Sequence, residues 1–203
     1  MRVIAGSAGG IPLRLPKTDL RPTMDMVRGA VFSSLGDACL GKHVLDLFAG
    51  CGSMGIEAMS RGAASAILVD ADRKACACIE QNLEKTRLKA SVICSDVFRF
   101  LKTQPGTMSV DIIFADPPYA KRPEDRDFAS ELLRDANLPH MLHSDGVMIL
   151  EIATAWKCPD LKFWEPLKRR KYGSTEILFL RRISAMDASC PGTERASRVQ
   201  EGA

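Results

Sequence analysis

The sequence predicts an α/β fold in which a mostly parallel, doubly wound sheet of seven strands is closed by an antiparallel hairpin. Three observations carry this. From His43 onward, short apolar segments alternate with segments of helical periodicity, and apolar strands separated by helices make a parallel sheet covered on both faces. Gly50, Gly52 and Gly55 stand directly between the first such strand and the first helix after it. Near the other end, Tyr172-Gly173-Ser174 joins two strand-like segments so tightly that they can only pair as a hairpin.

The elements follow in order. Val3 to Ala5 and Ile11 to Leu15, linked by a glycine- and serine-rich connector, predict a short N-terminal β-hairpin that Arg21-Pro22-Thr23 ends. Met24 to Leu35 places Val27, Ala30, Val31 and Leu35 at helical spacing. Gly29 inside it costs about 1 kcal/mol relative to alanine, so this helix needs a packing partner. Then come strand His43 to Phe48, helix Ser53 to Arg61, strand Ala66 to Val69, helix Asp72 to Thr86 and strand Ser91 to Cys94. A helix over Val97 to Lys102, strand Val110 to Ala115, helices between Asp125 and Leu142 and strand Gly146 to Ile152 complete the alternation. Strands Leu161 to Lys171 and Thr175 to Leu180 form the closing hairpin. The chain thus divides into a hairpin and helix extension (1–40), the α/β domain (41–183), and a tail (184–203) that loses periodicity and is expected to be disordered.

Composition narrows the function classes. A chain of 203 residues, 46% hydrophobic, is long enough to bury a full core. No apolar run approaches the ~20 residues that cross a bilayer, and the first residues show no signal-peptide pattern, so a cytoplasmic protein is expected, and it is read as a monomer. Seven cysteines scattered along the chain read as reduced thiols. Cys76 and Cys78 point to opposite sides of one helix, and His43, His140 and His143 have no accompanying ligands, so no metal is expected. Residues 1–30 carry five basic and two acidic side chains, residues 161–182 carry seven and two, and the remainder 16 against 21. That asymmetry suits either a polyanion docking on one face or an ordinary solvated surface.

Two motifs carry chemistry. Gly50, Gly52 and Gly55 fit the G-x-G-x-x-G turn that brings backbone close to a nucleoside cofactor, a spacing shared by several cofactor classes. Asp46, at the end of the preceding strand, selects among them: a carboxylate there can meet the ammonium group of S-adenosylmethionine, whereas it would repel a pyrophosphate. Phe48 lies in the same turn. Asp70, about twenty residues after the glycine turn, is placed to accept both ribose hydroxyls, while Asp72 is a helix N-cap. Asp96 reads equally as a partner for the adenine amino group, with Val97 against the ring, or as another N-cap.

The second motif is Asp116-Pro117-Pro118-Tyr119. An exocyclic amine on a purine is a poor nucleophile because its lone pair is delocalised into the ring. The Asp116 carboxylate and the Pro117 carbonyl can hold its hydrogens and turn the lone pair toward a methyl donor, with Pro118 stiffening the loop. Tyr119 can stack on an extruded base.

With these residues in view, the chain resembles the bacterial 16S ribosomal RNA guanine-N2 methyltransferase family usually called RsmD. The resemblance covers Arg2-Val3-Ile4-Ala5-Gly6, Arg21-Pro22-Thr23 with Asp25, Val27 and Arg28, the Asp46 to Glu57 block, Asp116 to Tyr119, Glu151 and Tyr172-Gly173-Ser174-Thr175. Gly29, Ile11 and Asp70 depart from the family's commoner glutamate, arginine and glutamate. The resemblance implies a Rossmann-like class I S-adenosylmethionine-dependent methyltransferase fold and transfer to N2 of a guanine in 16S rRNA, within a partly or fully assembled small ribosomal subunit. Arg14, Lys17, Arg21, Thr23 and Arg28, with Lys168, Arg169, Arg170 and Lys171, are expected to contact the RNA. An adenine-N6 methyltransferase of DNA or RNA, a protein-glutamine methyltransferase and a catalytically silent RNA-binding module are the alternatives, and Asp46 argues against a dinucleotide oxidoreductase.

Overall fold

The computed structural model describes residues 1–15, 23–104, 108–120, 122 and 124–183. The expectations for Lys17, Arg21, the side chain of Thr23 and the tail from residue 184 lie outside the described residues. In chain order the elements are α1 (Thr23–Leu35), β1 (His43–Leu47), α2 (Ser53–Ser60), β2 (Ser65–Asp70), α3 (Arg73–Thr86), β3 (Ser91–Cys94) and α4 (Val97–Thr103). They continue with β4 (Val110–Ala115), α5 (Phe128–Arg134), α6 (Leu138–Met141), β5 (Leu142–Ala153), β6 (Trp164–Tyr172) and β7 (Thr175–Arg182).

The seven strands lie in the order β3-β2-β1-β4-β5-β7-β6. β1 to β5 are parallel, and β7 runs antiparallel to both β5 and β6. The α/β class and the closing hairpin are as the sequence predicted. Strand order reverses at β1, which pairs with β2 on one side and β4 on the other. In open α/β sheets such a reversal opens a crevice beyond the carboxyl ends of the strands, where ligands bind.

The apolar periodicity sorts onto two faces. Phe98, Leu101, Leu132, Leu133 and Met141 pack on one side of the sheet, and Val27, Val31, Phe32, Ile56, Ile79 and Leu83 on the other. Cys76 and Cys78 are buried free thiols of α3, the core role expected of them. Asp72 caps α3 through a 2.8 Å bond from the Lys74 N–H. β5 begins at Leu142, four residues before the predicted start: Leu142 pairs with Val110, and the register against β4 then shifts before Val147 pairs with Ile112.

The N-terminal β-hairpin is not formed as two strands. A single antiparallel bridge joins Arg2 and Pro12, supported by backbone bonds from Val3 N to Ile11 O and from Gly10 N to Val3 O, both 2.9 Å. Pro12 has no N–H to extend the ladder. The segment instead docks on α2, where the fully buried Glu57 carboxylate accepts from the backbone N–H groups of Ile4 (2.6 Å) and Ala5 (3.1 Å). At Gly6, φ is +82° and a Cβ would lie 1.9 Å from the Ser60 carbonyl oxygen, so only glycine fits the docked loop. Val3, Ala8 and Leu13 share one core with α1 and the sheet, so the described part of the extension packs as part of the α/β domain.

No helix among the described residues is long and apolar enough to cross a membrane. Among the same residues no group of three His, Cys, Asp or Glu side chains could hold a metal ion.

Candidate active site

β1 ends on Asp46 and Leu47, and the chain then turns through Phe48, at φ +60°, into the glycine loop. A left-handed phenylalanine is a strained position of the kind that collects at functional sites. Its ring is held edge-on by Phe128, with centroids 5.7 Å apart. Gly52 caps α2 at φ +79°, where a Cβ would press to 2.9 Å of the Leu68 side chain. A Cβ on Gly55 would come equally close to Leu68 and within 3.2 Å of an Asp46 oxygen. A Cβ on Gly50 would meet nothing within 4 Å, so that residue shows the open side of the turn.

Asp46 is 3% exposed, and its Oδ2 accepts from the Gly55 N–H at 2.8 Å. Burial pushes its pKa up to about 7, against the pull of the Gly55 bond, and the nearby Asp70 charge adds to the rise. Asp70 is half-buried at the end of β2; its Oδ2 accepts from Gly50 N–H at 2.8 Å and its Oδ1 from Asp72 N–H at 2.9 Å. Each carboxylate oxygen has a second lone pair for a ligand hydroxyl. Asp96 caps α4 through a 2.9 Å bond from Arg99 N–H, while its side chain stays 48% exposed. Its N-cap role is therefore present, and its other oxygen, Oδ2, forms a long ion pair with Arg126 at 4.0 Å. The side chain of Val97 is packed in the core beneath α4 and is 1% exposed, so the apolar surface expected to meet a ring is not available there. It heads the apolar face of α4, and that face is what buries it.

Asp116 follows β4 and donates its N–H to the Leu47 carbonyl at 3.4 Å, which ties the clamp to the strand that carries Asp46. Asp116 and Pro118 are exposed, Pro117 is buried and Tyr119 is half-buried. The Tyr119 hydroxyl donates to Glu151 Oε1 at 2.9 Å and lies 3.3 Å from the Thr175 hydroxyl. Burial raises its pKa, and the Glu151 and Asp116 charges push the same way, so it stays a donor. The ring is thereby fixed by β5 and β7. Sequence reasoning named Glu151 and Thr175 only through family resemblance. No local pattern marks two residues that meet Tyr119 across 32 and 56 positions of chain.

Two clefts flank this clamp. One, of about 490 Å3 with its open mouth, is lined by Arg28, Asp46, Ser53, Met54, Asp116 and Glu151 among others. The second, of about 460 Å3, lies between Pro117, Tyr119, Ile152 and Trp156. Asp46 and Asp116 line the first cleft together, the rest of the clamp lines the second, and Asp70 and Asp96 line neither.

The basic residues divide. Arg14, Arg170 and Lys171 are exposed, and Arg14 also reaches Gln81 Oε1 at 2.9 Å. Lys168 is half-buried over the Phe179 ring and bonds Ser34 Oγ at 3.2 Å, while Arg169 pairs with Glu176. Arg28 is 2% exposed and lies inside the first cleft, so it cannot meet an RNA phosphate on a docking face. Helical spacing explains this correction: Val27, Arg28 and Val31 share the inward stripe of α1.

The chain is 38% identical to the protein YlbH of Bacillus subtilis over 158 residues, 74% of this chain and 82% of that one. It is 38% identical to ribosomal RNA small subunit methyltransferase D of Escherichia coli over 123 residues, 60% of this chain and 61% of that one, a little under two thirds of the relative's length. The solved structure of yhhF from Escherichia coli superposes with a TM-score of 0.73 at 30% identity, covering 90% of this chain and 97% of that one. A Thermus thermophilus 16S rRNA N2 methyltransferase, RsmC, solved with AdoMet and guanosine, matches at TM-score 0.67 and 25% identity over 82% of this chain and 44% of that one. The family described as conserved hypothetical protein 95 matches residues 1–181, and this chain belongs to it.

Proposed function

We propose that this protein transfers a methyl group from S-adenosylmethionine to the exocyclic N2 of a guanine in 16S rRNA. The observation that carries the reading is the convergence, at the point where strand order reverses, of a glycine turn with two backbone-held carboxylates and an Asp116-Pro117-Pro118-Tyr119 clamp. The residues present fit the cofactor: Asp46 suits its ammonium group, Asp70 its ribose hydroxyls and the exposed oxygen of Asp96 its adenine amine, with Gly50 leaving room for close approach. The relatives support an rRNA substrate, since one is named for the small subunit and a structural neighbour was solved with AdoMet and guanosine.

Bound S-adenosylmethionine supplies a methyl group on a positively charged sulfur. The chain's own residues do the rest. Asp116 and the Pro117 carbonyl accept the hydrogens of the target amine, aim its lone pair and leave Asp116 placed to take the proton that the amine sheds. The Tyr119 ring, locked through its hydroxyl, stacks on the base and holds its plane. Arg14, Arg170 and Lys171 meet phosphates of the small-subunit RNA around the target, and the protein works as a cytoplasmic monomer. A clamp that reads an amine also fits N6 of adenine, which makes that the second reading.

The test is mass spectrometry of nucleosides from the small-subunit RNA of a deletion strain. Loss of N2-methylguanosine, restored by the wild-type gene and not by Asp116→Ala, is expected. Loss of N6-methyladenosine would move the reading to adenine. An unchanged nucleoside profile would overturn the rRNA assignment.

A further inference from the structure

Arg28 is the only arginine among the described residues to fall in the buried class, at 2% exposure. Its Nη2 donates to the Arg2 carbonyl and to Asp25 Oδ1, the latter at 3.0 Å. Its Nε and Nη1 are buried and have no hydrogen-bond partner among the described residues. A guanidinium carries five N–H donors, and a buried donor without an acceptor is destabilising, so these two atoms are donors that an acceptor entering the cleft would satisfy. Asp25 is half exposed and takes only Nη2. The same cleft is lined by Asp46 and by the clamp residue Asp116. One cleft is therefore lined by both a buried cation and a buried carboxyl group, together with Ser53 and Met54 from the start of α2.

We propose that the Arg28 guanidinium binds the carboxylate of the cofactor's methionine end, while Asp46 takes the ammonium group of the same zwitterion. This rests on the S-adenosylmethionine reading above and adds a binding residue to it. A carboxylate matches the planar fork of a guanidinium better than any other anion of that size, and a buried arginine loses little entropy in making the contact. The burial that removes Arg28 from the RNA face is what makes it suitable here. α1 becomes the wall of the cofactor site, so the N-terminal segment docked on α2 serves to hold that wall in place.

The experiment is calorimetric titration of the full chain with S-adenosylmethionine and with decarboxylated S-adenosylmethionine, which lacks only the carboxylate. The wild type should prefer the intact cofactor by about 30-fold or more, the size expected when one partner of a buried charge pair is removed. Arg28→Gln and Arg28→Lys should lose most of that preference while binding the decarboxylated compound as the wild type does. Equal wild-type affinity for the two compounds, or a parallel loss of both in the variants, would overturn the proposal. If the wild type bound neither compound, the methyltransferase reading itself would fall. Should the variants not fold, the Arg28 Nε–H resonance of labelled wild-type protein decides: it should move downfield with the intact cofactor and stay in place with the decarboxylated one. A resonance unmoved by both, with both bound, also overturns the proposal.

Discussion

The two halves of the site are held by different means. On the β1 and β2 side, Asp46 and Asp70 are fixed by backbone N–H groups of Gly55, Gly50 and Asp72, all within twenty residues of the carboxylates they hold. On the β4 side, Tyr119 is fixed by side chains of Glu151 and Thr175, brought from β5 and β7. A backbone-held half is rigid as soon as its turn forms. A half held by side chains depends on three strands being in register. Cofactor binding should therefore tolerate damage to the closing hairpin better than catalysis does.

The sharpest test removes the clamp's charge. Asp116→Ala should lower the single-turnover rate by roughly 100- to 1000-fold, the range for losing a preorganised polar group in an active site, with cofactor affinity unchanged by calorimetry. A parallel loss of affinity would join the two halves that the structure separates. Damage to the backbone-held half should do the reverse. Gly55→Ala, whose Cβ would lie 2.9 Å from Leu68, should lower stability by about 1–3 kcal/mol in denaturant titration and weaken the cofactor.

Tyr119→Phe keeps the ring and loses the bond to Glu151, so turnover should fall less than about tenfold, since a single hydrogen bond contributes ~1 kcal/mol net. Tyr119→Ala should lose far more. If phenylalanine and alanine were equally damaging, the hydroxyl rather than the ring would be the working part.

Asp46 gives a pH test of the cofactor half. Its folded pKa is raised to about 7, so in the free protein the group is protonated below that pH, and the stability favouring this state is lost as pH rises toward 7. An ammonium partner favours the ionised form, so binding below pH 7 must release a proton. Affinity should therefore climb as pH rises to about 7, and Asp46→Asn should flatten that limb in calorimetric titrations. The smallest effect concerns the edge strand. Arg170→Ala with Lys171→Ala should reduce the salt slope of RNA binding by about one unit per phosphate contact, leaving cofactor affinity untouched in filter-binding and calorimetric measurements.

The glycine turn, the cap at Asp72 and the closing hairpin were legible from the sequence because each is specified within a few residues, by a left-handed φ that favours glycine, a side chain reaching its own helix, or a turn too short for any other connection. The alternation of strands and helices likewise determined the parallel sheet. What the sequence left open is set by contacts between distant segments. Local pattern gave two strands at the N-terminus, but Glu57, more than fifty residues away, draws the backbone of Ile4 and Ala5 onto α2 instead. Residue type marked Arg28 as an RNA ligand, but the packing of α1 turned it into the cleft. The sequence by itself determined the fold class and the two chemical motifs. Only the tertiary structure decided which charges face water and which line the cleft, because burial depends on what packs against a residue and not on its neighbours in the chain.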